Sequence, residues 1–297
     1  MPTAPPVFGR ILTAMVSPMR PDTALDLSAA QKVASWLVDR GNDGLVVNGT
    51  TGEAPTTTDD EKIALLKAVI EAVGDRATVV AGAGSYDTAH SVHLARRCAA
   101  SGADGLLLVT PYYSKPPQTG LLAHFTAVAD ATELPVMLYD IPGRTATAIE
   151  VSTLIRLAEH PRIVAVKDAK GDLWAATQVM RCTELQWYSG DDGANLAHLA
   201  QGGVGSVGVT SHVASLEYAQ LTEAVLAGDM ATAVELHHRL VPVVNAMMTI
   251  TQGAIMAKAA LVELGVLDSA AVRLPLVPAT EAERVRLRAG MTESGLR

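Results

Sequence analysis

Lys167 ends an apolar run of the sequence, Ile163-Val-Ala-Val, that carries no other charge. In a β-strand, the two-residue alternation would place Lys167 on the same face as Ile163 and Ala165. If that face points inward, the ammonium loses hydration, its pKa falls, and more neutral amine is available as a nucleophile. A neutral amine on an apolar surface is what imine formation with a ketone needs. The alternative is a strand-end lysine that pairs with Asp168 or Asp140, and this stretch alone does not separate the two.

Hydroxyl side chains follow several other apolar runs. Tyr139 ends the run before that of Lys167, and a phenol close to the amine can shuttle protons between water and a carbinolamine hydroxyl. Thr50, Thr51 and Tyr113 could complete a chain of hydroxyls. Each residue also has an ordinary explanation, because threonine favours turns and tyrosine can simply fill the mouth of a barrel. If all four lie around Lys167 at one face of the fold, however, the set predicts a catalytic site.

Arg144 is the candidate ligand for a substrate carboxylate. It lies in Ile-Pro-Gly-Arg-Thr, in a loop after a predicted strand. A guanidinium there suits bidentate capture of a carboxylate, and a surface salt bridge is the alternative. Asp191 and Asp192, in Ser-Gly-Asp-Asp, are predicted to lie at the N-terminus of a helix. Their charge would repel a phosphate, so we expect a substrate without one.

Eight short apolar runs alternate with segments of helical spacing, which is the pattern of a parallel sheet with right-handed crossovers. Eight such strands predict a closed barrel, so the predicted fold class is α/β, a (β/α)8 TIM barrel. Barrel enzymes place their catalytic groups at the C-terminal ends of the strands, where the residues named above lie. The predicted strands are 8–16, 44–48, 78–82, 105–109, 135–139, 163–167, 186–189 and 204–209.

The predicted helices fall into two groups, those that alternate with the strands and those that follow the eighth strand. Residues 58–73 begin with the capping box Thr58-x-x-Glu61, as expected for a helix between two strands. After the eighth strand no further strand is predicted. We therefore predict a catalytic barrel over residues 1–228 and a C-terminal helical extension over residues 229–297. The extension either docks on the barrel or serves an oligomer interface, and the sequence does not decide between these.

Composition excludes several classes of function. The 297 residues suit a single α/β barrel, and 49% hydrophobic residues are enough for a large core. The net charge is −8 and no cluster of Lys and Arg is interleaved with aromatic residues, so nucleic acid is not an expected partner. No apolar run reaches the length of a membrane span, and the N-terminal residues lack the features of a signal peptide. We predict no metal site, because His90 and His93 have no further ligand nearby in the sequence.

The two cysteines, Cys98 and Cys182, lie far apart, each in a segment predicted to be helical. A secreted chain held together by disulfides would normally contain more cysteines. We therefore interpret both as reduced packing residues and expect a cytoplasmic protein.

Five motifs occur in the same order as in the dihydrodipicolinate synthases, which are also called 4-hydroxy-tetrahydrodipicolinate synthases. The chain resembles this family over nearly its whole length. The resemblance implies condensation of pyruvate with L-aspartate 4-semialdehyde, the first committed step toward diaminopimelate and lysine. It also implies that a lysine carries the covalent intermediate, so that no metal or organic cofactor is required. The motifs are GTTGE at 49–53, TPYY at 110–113, YDIPGRT at 139–145, VKDAKGD at 166–172 and SGDD at 189–192.

The resemblance also implies a role for each candidate residue. Lys167 would form the Schiff base with pyruvate. Tyr139, Thr50 and Tyr113 would form a proton relay, with Tyr113 acting in the active site of a neighbouring subunit. The family is commonly a homotetramer built as a dimer of dimers. The implied substrate-binding residues are Thr51 for the pyruvate carboxylate, Arg144 for the semialdehyde carboxylate, and Gly190 and Val207 through their backbone carbonyls.

Two alternatives stay open. N-acetylneuraminate lyases and keto-acid aldolases of the same superfamily are similar in the lysine and the relay tyrosine. The N-acetylneuraminate lyases generally lack an arginine at the position of Arg144 and carry GSTGE in place of GTTGE, so a synthase is favoured over them. The other alternative is a barrel that has lost activity and serves as a ligand sensor or scaffold. Such a chain is expected to have lost the lysine or the tyrosines, and none of them is lost here.

The sequence differs from the lysine-inhibited members of the family in their regulatory cleft. Those enzymes bind lysine with a histidine pair, an asparagine and a glutamate, and the matching positions here are Asp59, Lys62, Tyr86 and His90. Lys62 would place a positive charge beside the ammonium groups of bound lysine, and His90 replaces an acidic partner. Asp59 could compensate in part. We therefore expect weak or absent inhibition by lysine.

Overall fold

In the computed structural model, which describes residues 6–296, eight parallel strands close into a barrel in chain order. The ring closes where β1 pairs with β8. Seven strands agree with the prediction to within one residue at each end, whereas the first is much shorter than the predicted 8–16. The predicted (β/α)8 barrel is thus confirmed. The strands are β1 Ile11–Ala14, β2 Gly44–Val47, β3 Thr78–Gly82, β4 Gly105–Val109, β5 Val136–Asp140, β6 Ile163–Asp168, β7 Gln186–Ser189 and β8 Gly205–Gly208.

Helices follow the strands and surround the barrel. The predicted capping box is present at the start of α2, where the Thr58 hydroxyl accepts from the Glu61 N–H at 3.2 Å and the Glu61 carboxylate accepts from the Thr58 N–H at 2.9 Å. The helices are α1 Leu27–Asp39, α2 Asp59–Val73, α3 Thr88–Ala100, α4 Gln118–Ala129, α5 Pro142–Thr145, α6 Val151–Leu157, α7 Leu173–Met180, α8 Asn195–Ala200, α9 Ser211–Ala227, α10 Met230–Met248, α11 Gly253–Glu263 and α12 Glu281–Glu293.

Two hydrophobic layers hold the barrel together, because successive side chains of a strand point to opposite faces. The outer layer lies between strands and helices and contains residues such as Leu45, Leu106 and Leu138. The inner layer fills the barrel, so the barrel is a packed core and not a pore. Its members include Leu12, Val46, Val80, Leu107, Met137, Ala165 and Val207.

β6 departs from the regular alternation at its start. Val136 pairs with Ile163, but the next residue of β5, Met137, pairs with Ala165, so Val164 is an extra residue. Because of this bulge, Ile163 packs in the outer layer while Ala165 lies inside the barrel. The prediction that Ile163 shares a face with Lys167 is therefore wrong, and the prediction for Ala165 is confirmed.

The helices after β8 dock on the barrel. Residues of α10 and α11, among them Val243 and Met256, belong to the same outer hydrophobic layer as the barrel strands. The domain boundary after residue 228 stays a prediction, and its outer limits at residues 1 and 297 lie outside the described residues. Within 6–296, no single helix is long and apolar enough to cross a membrane. α10 and α11 reach that length and composition only as a pair, which bends by 111° at its break.

The cysteines are both free thiols. Cys98 is buried in α3, as predicted, but Cys182 is exposed and lies beyond the end of α7 at Met180. The interpretation of Cys182 as a helical packing residue is wrong, since α7 ends before this position is reached.

Candidate active site

Lys167 lies at the C-terminal end of β6, and only 4% of it is exposed. Its Nζ atom lies over the ring of Tyr139, 4.3 Å from the ring centroid. Burial lowers the pKa of Lys167 to about 8; the charge of Arg144 acts in the same direction, and the carboxylate of Asp192 acts against it. Roughly a tenth of this amine is consequently neutral at pH 7, a fraction on the order of several hundred times that of an ordinary surface lysine.

The carboxylates of Asp140 and Asp168, which end β5 and β6, have other partners. Asp140 pairs with Lys170, whose Nζ is 3.3 Å from Oδ2. Asp168 accepts from the Lys170 backbone N–H at 2.8 Å and from Trp187 Nε1 at 3.2 Å. Lys167 forms none of the ion pairs found within residues 6–296. The alternative of a strand-end lysine paired with Asp140 or Asp168 is therefore wrong.

Tyr139 lies directly beside Lys167, since the two residues are partners in the register of β5 and β6. Burial raises the pKa of Tyr139 to about 12, although Arg144 and a hydrogen bond with the Thr50 side chain act to lower it. The phenol therefore keeps its proton at neutral pH and can donate or relay it. Thr50 approaches from the loop after β2, so the site draws on two strands and one loop.

A cleft of about 410 Å³ opens at this end of the barrel. Thr50, Tyr139 and Arg144 line this cleft. Lys167 does not line it, but its Nζ atom lies over the ring of Tyr139. Arg144 is exposed in the short helix α5, which starts at Pro142. Proline suits the first position of a helix because its φ is already helical and its missing N–H would have no partner there. The cleft thus combines a phenol, a hydroxyl and a guanidinium, and the Lys167 amine lies against the ring of that phenol.

Three other predicted site residues lie nearby without lining this cleft. Thr51 is buried in the loop after β2, and Val207 is buried inside the barrel in β8. Gly190 follows β7 directly, and a Cβ atom there would lie 2.9 Å from Cγ of Lys167. A larger residue would displace the lysine stem, so glycine is required for this close approach.

Asp191 and Asp192 lie at the start of the turn that leads into α8, as predicted. Asp191 accepts from the Gly193 N–H at 2.9 Å. The buried carboxylate of Asp192 accepts from the N–H groups of Val209 and Thr210, at 3.0 and 2.9 Å, just before α9. The sequence did not predict the contact of Asp192 with residues 209 and 210, because these residues precede α9, a helix that is remote from Asp192 in the sequence.

Tyr113 is the predicted site residue that the single chain does not bring to the cleft. Its side chain is 94% exposed, and its backbone φ is 72°, in the left-handed region. A non-glycine residue in this region is strained, so the surrounding loop must hold it there. The preceding residue, Tyr112, lines the cleft and packs edge-on against Tyr86, with ring centroids 5.3 Å apart.

The charged side chains at the other end of the cleft bind one another. His90 Nε2 lies 2.9 Å from Asp59 Oδ2, and His90 Nδ1 lies 3.2 Å from Ser85 Oγ. Lys62 Nζ donates to the Thr57 carbonyl at 2.6 Å and lies 3.9 Å from Asp59. Burial lowers the pKa of Lys62. Asp59, the carboxylate at this end, therefore already has two partners from the chain itself.

Sequence reasoning missed a buried ion pair beneath the loop of Thr50 and Thr51. Lys258 Nζ pairs with the Glu53 carboxylate, and the two residues are 205 positions apart. A usable signal was present, because Lys258 is the one charged residue between Gly253 and Val262 of α11. A charge in an otherwise apolar helix predicts a buried partner. In residues 6–296, no three His, Cys, Asp or Glu side chains are grouped so as to hold a metal ion.

Comparison with known proteins extends these observations to the whole chain. The model of the dihydrodipicolinate synthetase family matches residues 7–294. A 4-hydroxy-tetrahydrodipicolinate synthase from Acidothermus cellulolyticus is 60% identical over 98% of this chain and 94% of its own. One from Streptomyces coelicolor is 54% identical over 99% of both chains.

Solved structures lead to the same family. The dihydrodipicolinate synthase of Bacillus anthracis superposes with a TM-score of 0.93 at 42% identity, over 96% of this chain and 98% of its own. That of Cyanidioschyzon merolae, solved with lysine bound, has a TM-score of 0.95 at 39% identity, over 98% and 99% of the two chains. This chain belongs to the dihydrodipicolinate synthetase family.

Proposed function

We propose that this protein is an enzyme, a lyase that condenses pyruvate with L-aspartate 4-semialdehyde to give 4-hydroxy-tetrahydrodipicolinate. The observation that carries the proposal is the environment of Lys167, a buried amine that lies over the Tyr139 ring and forms no ion pair with a carboxylate of residues 6–296. An amine of lowered pKa at the end of a barrel strand is suited to attack a ketone. The high identity to the curated synthases supports the choice of these two substrates. The product belongs to diaminopimelate and lysine biosynthesis.

The proposed reaction starts with addition of the neutral Lys167 amine to C2 of pyruvate. The resulting carbinolamine loses its hydroxyl as water, and the C2–N bond becomes an imine. Loss of a proton from C3 then gives an enamine, and this carbon forms a bond to the aldehyde carbon of the semialdehyde. The aldehyde C=O π bond opens, its oxygen takes a proton and becomes the hydroxyl of the product, and the enamine returns to the imine. Finally, the amino group of the semialdehyde adds to C2 and the Lys167 amine leaves, which closes the ring and frees the enzyme.

Tyr139 is the proposed proton carrier of these steps. Its pKa of about 12 keeps the phenol protonated, so it can give a proton to the departing hydroxyl and regain one through Thr50. Thr51 is assigned to the pyruvate carboxylate, and Gly190 and Val207 offer backbone carbonyls around the reacting carbons. The burial of Thr51 and Val207 at this part of the barrel, and the close approach of Gly190 to the Lys167 side chain, support these assignments. The amine supplies the electron sink, and the proposed steps use no organic cofactor.

Arg144 is the proposed ligand of the semialdehyde carboxylate. It is exposed at the edge of the cleft that Tyr139 and Thr50 line. A guanidinium in this position can form two parallel hydrogen bonds with a carboxylate. The same contact would give the second substrate a fixed orientation toward the enamine carbon.

The rate of imine formation is expected to follow the titration of Lys167. The neutral amine is the nucleophile, so the rate should rise with pH through about 8 and then level off. A lysine with the ordinary pKa of 10.5 would behave differently, because its rate would still increase steeply above pH 9, where the rate for a pKa of about 8 has levelled off. The second-order rate of imine formation, measured by rapid mixing at subsaturating pyruvate over this range, gives the profile of the free amine. A continuous rise through pH 9 would contradict the assignment.

Tyr113 is proposed to complete the relay of a neighbouring subunit in a homotetramer arranged as a dimer of dimers. Its strained backbone and exposed ring support a role outside its own cleft. We expect that mixing inactive Tyr113→Phe chains with inactive Lys167→Ala chains restores part of the activity, because a hybrid can hold one site with both native residues. Subunit exchange is verified by native mass spectrometry. Exchanged hybrids that stay inactive would place Tyr113 outside the partner's site.

Lysine is expected to inhibit this enzyme weakly or not at all. Asp59 already has His90 and Lys62 as partners, and Lys62 would repel the ammonium groups of bound lysine. An ammonium left without a partner in a partly buried site loses most of its binding energy. Titration of lysine into a steady-state assay tests this expectation, and half-inhibition at submillimolar lysine would show it to be wrong.

The proposed reaction is tested by supplying pyruvate and L-aspartate 4-semialdehyde and following the cyclic product. Product formation at a rate comparable to pyruvate consumption supports the synthase. A pyruvate-dependent aldolase would instead form the trapped pyruvate adduct but no cyclic product with this aldehyde. A scaffold protein would form no adduct. We place the reaction in a reducing cytoplasm, which agrees with two free thiols in the chain.

A further inference from the structure

Lys258 is buried in the middle of α11, a helix that is otherwise apolar from Gly253 to Val262. Its Nζ atom forms an ion pair with the Glu53 carboxylate and donates to the carbonyl of Ala271 at 2.7 Å. Burial lowers the pKa of Lys258, and Glu53 acts against this shift. A buried charge pair is a costly way to fill space, since apolar residues of similar volume often give equal or greater stability. The pair does, however, fix the relative positions of the two residues, because a charge-assisted hydrogen bond has a defined geometry.

Glu53 is the last residue of the loop that carries Thr50 and Thr51. Its second carboxylate oxygen accepts from the Arg273 backbone N–H at 2.9 Å. Its own N–H donates to the Thr50 carbonyl at 3.1 Å, and its φ of 55° lies in the left-handed region. Both carboxylate oxygens of Glu53 thus contact the C-terminal part of the chain, through Lys258 and Arg273. The backbone N–H of Glu53 is hydrogen-bonded to the Thr50 carbonyl.

The side chain of Arg273 binds residues that lie beside the loop, outside 48–53. Its guanidinium donates to the Thr56 carbonyl at 2.8 Å and to the Thr23 carbonyl at 3.0 Å. It also forms a two-pronged contact with the Glu61 carboxylate, at 2.8 and 2.5 Å. Because Glu61 belongs to the capping box of α2, Arg273 connects the segment just after the loop, at Thr56, to the start of that helix.

The opposite end of the loop is held by a separate contact. Asn48 Nδ2 donates to the Lys62 carbonyl of α2 at 3.0 Å. Inside the loop, Gly52 comes so close to Asn48 that a Cβ atom would lie 3.1 Å from its backbone nitrogen. At the second end, the Gly52 carbonyl accepts from the buried Ser17 hydroxyl at 2.6 Å, and the Glu53 carboxylate adds the contacts that tie the loop to the C-terminal part of the chain.

We propose that Lys258, Glu53 and Arg273 are positioning residues, by which the C-terminal helices hold the loop 48–53 so that the Thr50 and Thr51 hydroxyls face the pyruvate site. This assigns a catalytic purpose to the extension, and it rests on the proposed function of Thr50 and Thr51. None of the three residues touches the reacting atoms; they act through the loop.

The test uses the full-length double variant Lys258→Met/Glu53→Gln, which removes both charges and leaves no unpaired buried ion. Small displacements of groups that orient a substrate can lower rates by up to about 100-fold. We expect kcat/KM for pyruvate to fall about 10- to 100-fold, with a higher KM for pyruvate and slower trapping by borohydride. The KM for the semialdehyde is expected to change less than about threefold, because Arg144 is held by a different loop.

Glu263→Gln is the matched control. Glu263 accepts from Arg284 and Arg288 and so joins α11 to α12. We expect it to lower the Tm while the KM for pyruvate stays within about threefold of wild type. An equal rise of this KM in the control would overturn the proposal, because the effect would then be one of general stability.

Two further outcomes decide the proposal. A folded double variant with wild-type pyruvate kinetics would overturn it. If circular dichroism shows that the double variant does not fold, Arg273→Gln replaces it, since this side chain is only partly buried, and unchanged pyruvate kinetics there would overturn the proposal equally. Failure of the wild-type chain to be trapped with pyruvate is a different result, which contradicts the proposed function itself.

Discussion

Lys167→Ala is expected to lower kcat by at least about 10⁴-fold, because no covalent intermediate can form without the amine. The alanine side chain leaves the barrel strand intact, and Tyr139 stays in the same register of β5. Steady-state kinetics at saturating concentrations of both substrates measures the effect, and circular dichroism confirms that the variant folds.

Lys62→Met is the control for this experiment. Lys62 lines the cleft, and burial lowers its pKa as it does that of Lys167, so it is a second amine that could act as the nucleophile. Its Nζ is engaged with the Thr57 carbonyl, however, whereas Lys167 lies over an aromatic ring. We expect the Lys62 variant to keep most of its turnover. Loss of turnover in Lys62→Met with activity kept in Lys167→Ala would reverse the assignment.

Arg144→Ala is expected to impair use of the second substrate far more than capture of the first. Loss of a two-pronged contact with a carboxylate costs about 2–4 kcal/mol, or roughly 30- to 1000-fold in kcat/KM for the semialdehyde. The rate of pyruvate trapping is expected to change much less. Removal of this nearby positive charge would if anything raise the pKa of Lys167, because Arg144 acts to lower it.

Arg144→Lys serves as the matched variant, because it keeps the positive charge but loses the planar fork. We expect an intermediate loss in kcat/KM for the semialdehyde. Wild-type efficiency of Arg144→Ala with aspartate 4-semialdehyde would contradict the role of this residue. The keto-acid aldolase would then become the better explanation of the Lys167 site.

The strand pattern was predictable because each barrel strand is a short apolar run with a polar residue near its C-terminal end. The first strand shows the limit of this argument. The stretch 8–16 is mostly apolar, although it includes Arg10 and Thr13. Only Ile11–Ala14 forms the strand that lies between β2 and β8, and Phe8 packs in the inner layer against Tyr188. The bulge at Val164 could not be predicted, because it depends on the register between two strands and not on either sequence alone.

The residues around Lys167 were predictable for a similar reason, since all follow strands whose C-terminal ends meet at one face of the barrel. Alternation also predicted that Ala165 shares the inner face with Lys167. The exposure of Tyr113 and the contacts between Asp59 and His90 depend on loop geometry, which apolar patterns do not encode. The pair of Glu53 and Lys258 joins positions 205 residues apart, and only the folded chain identifies the partners.

The central claim is that Lys167 forms the imine with pyruvate, and mapping the trapped adduct tests it most directly. Wild-type protein is incubated with pyruvate and borohydride, digested, and its lysine-containing peptides are identified by mass spectrometry. The account predicts one reduced pyruvyl group per chain, located on Lys167. An adduct on Lys62 or Lys170, or no adduct under conditions in which the enzyme turns over, would contradict it.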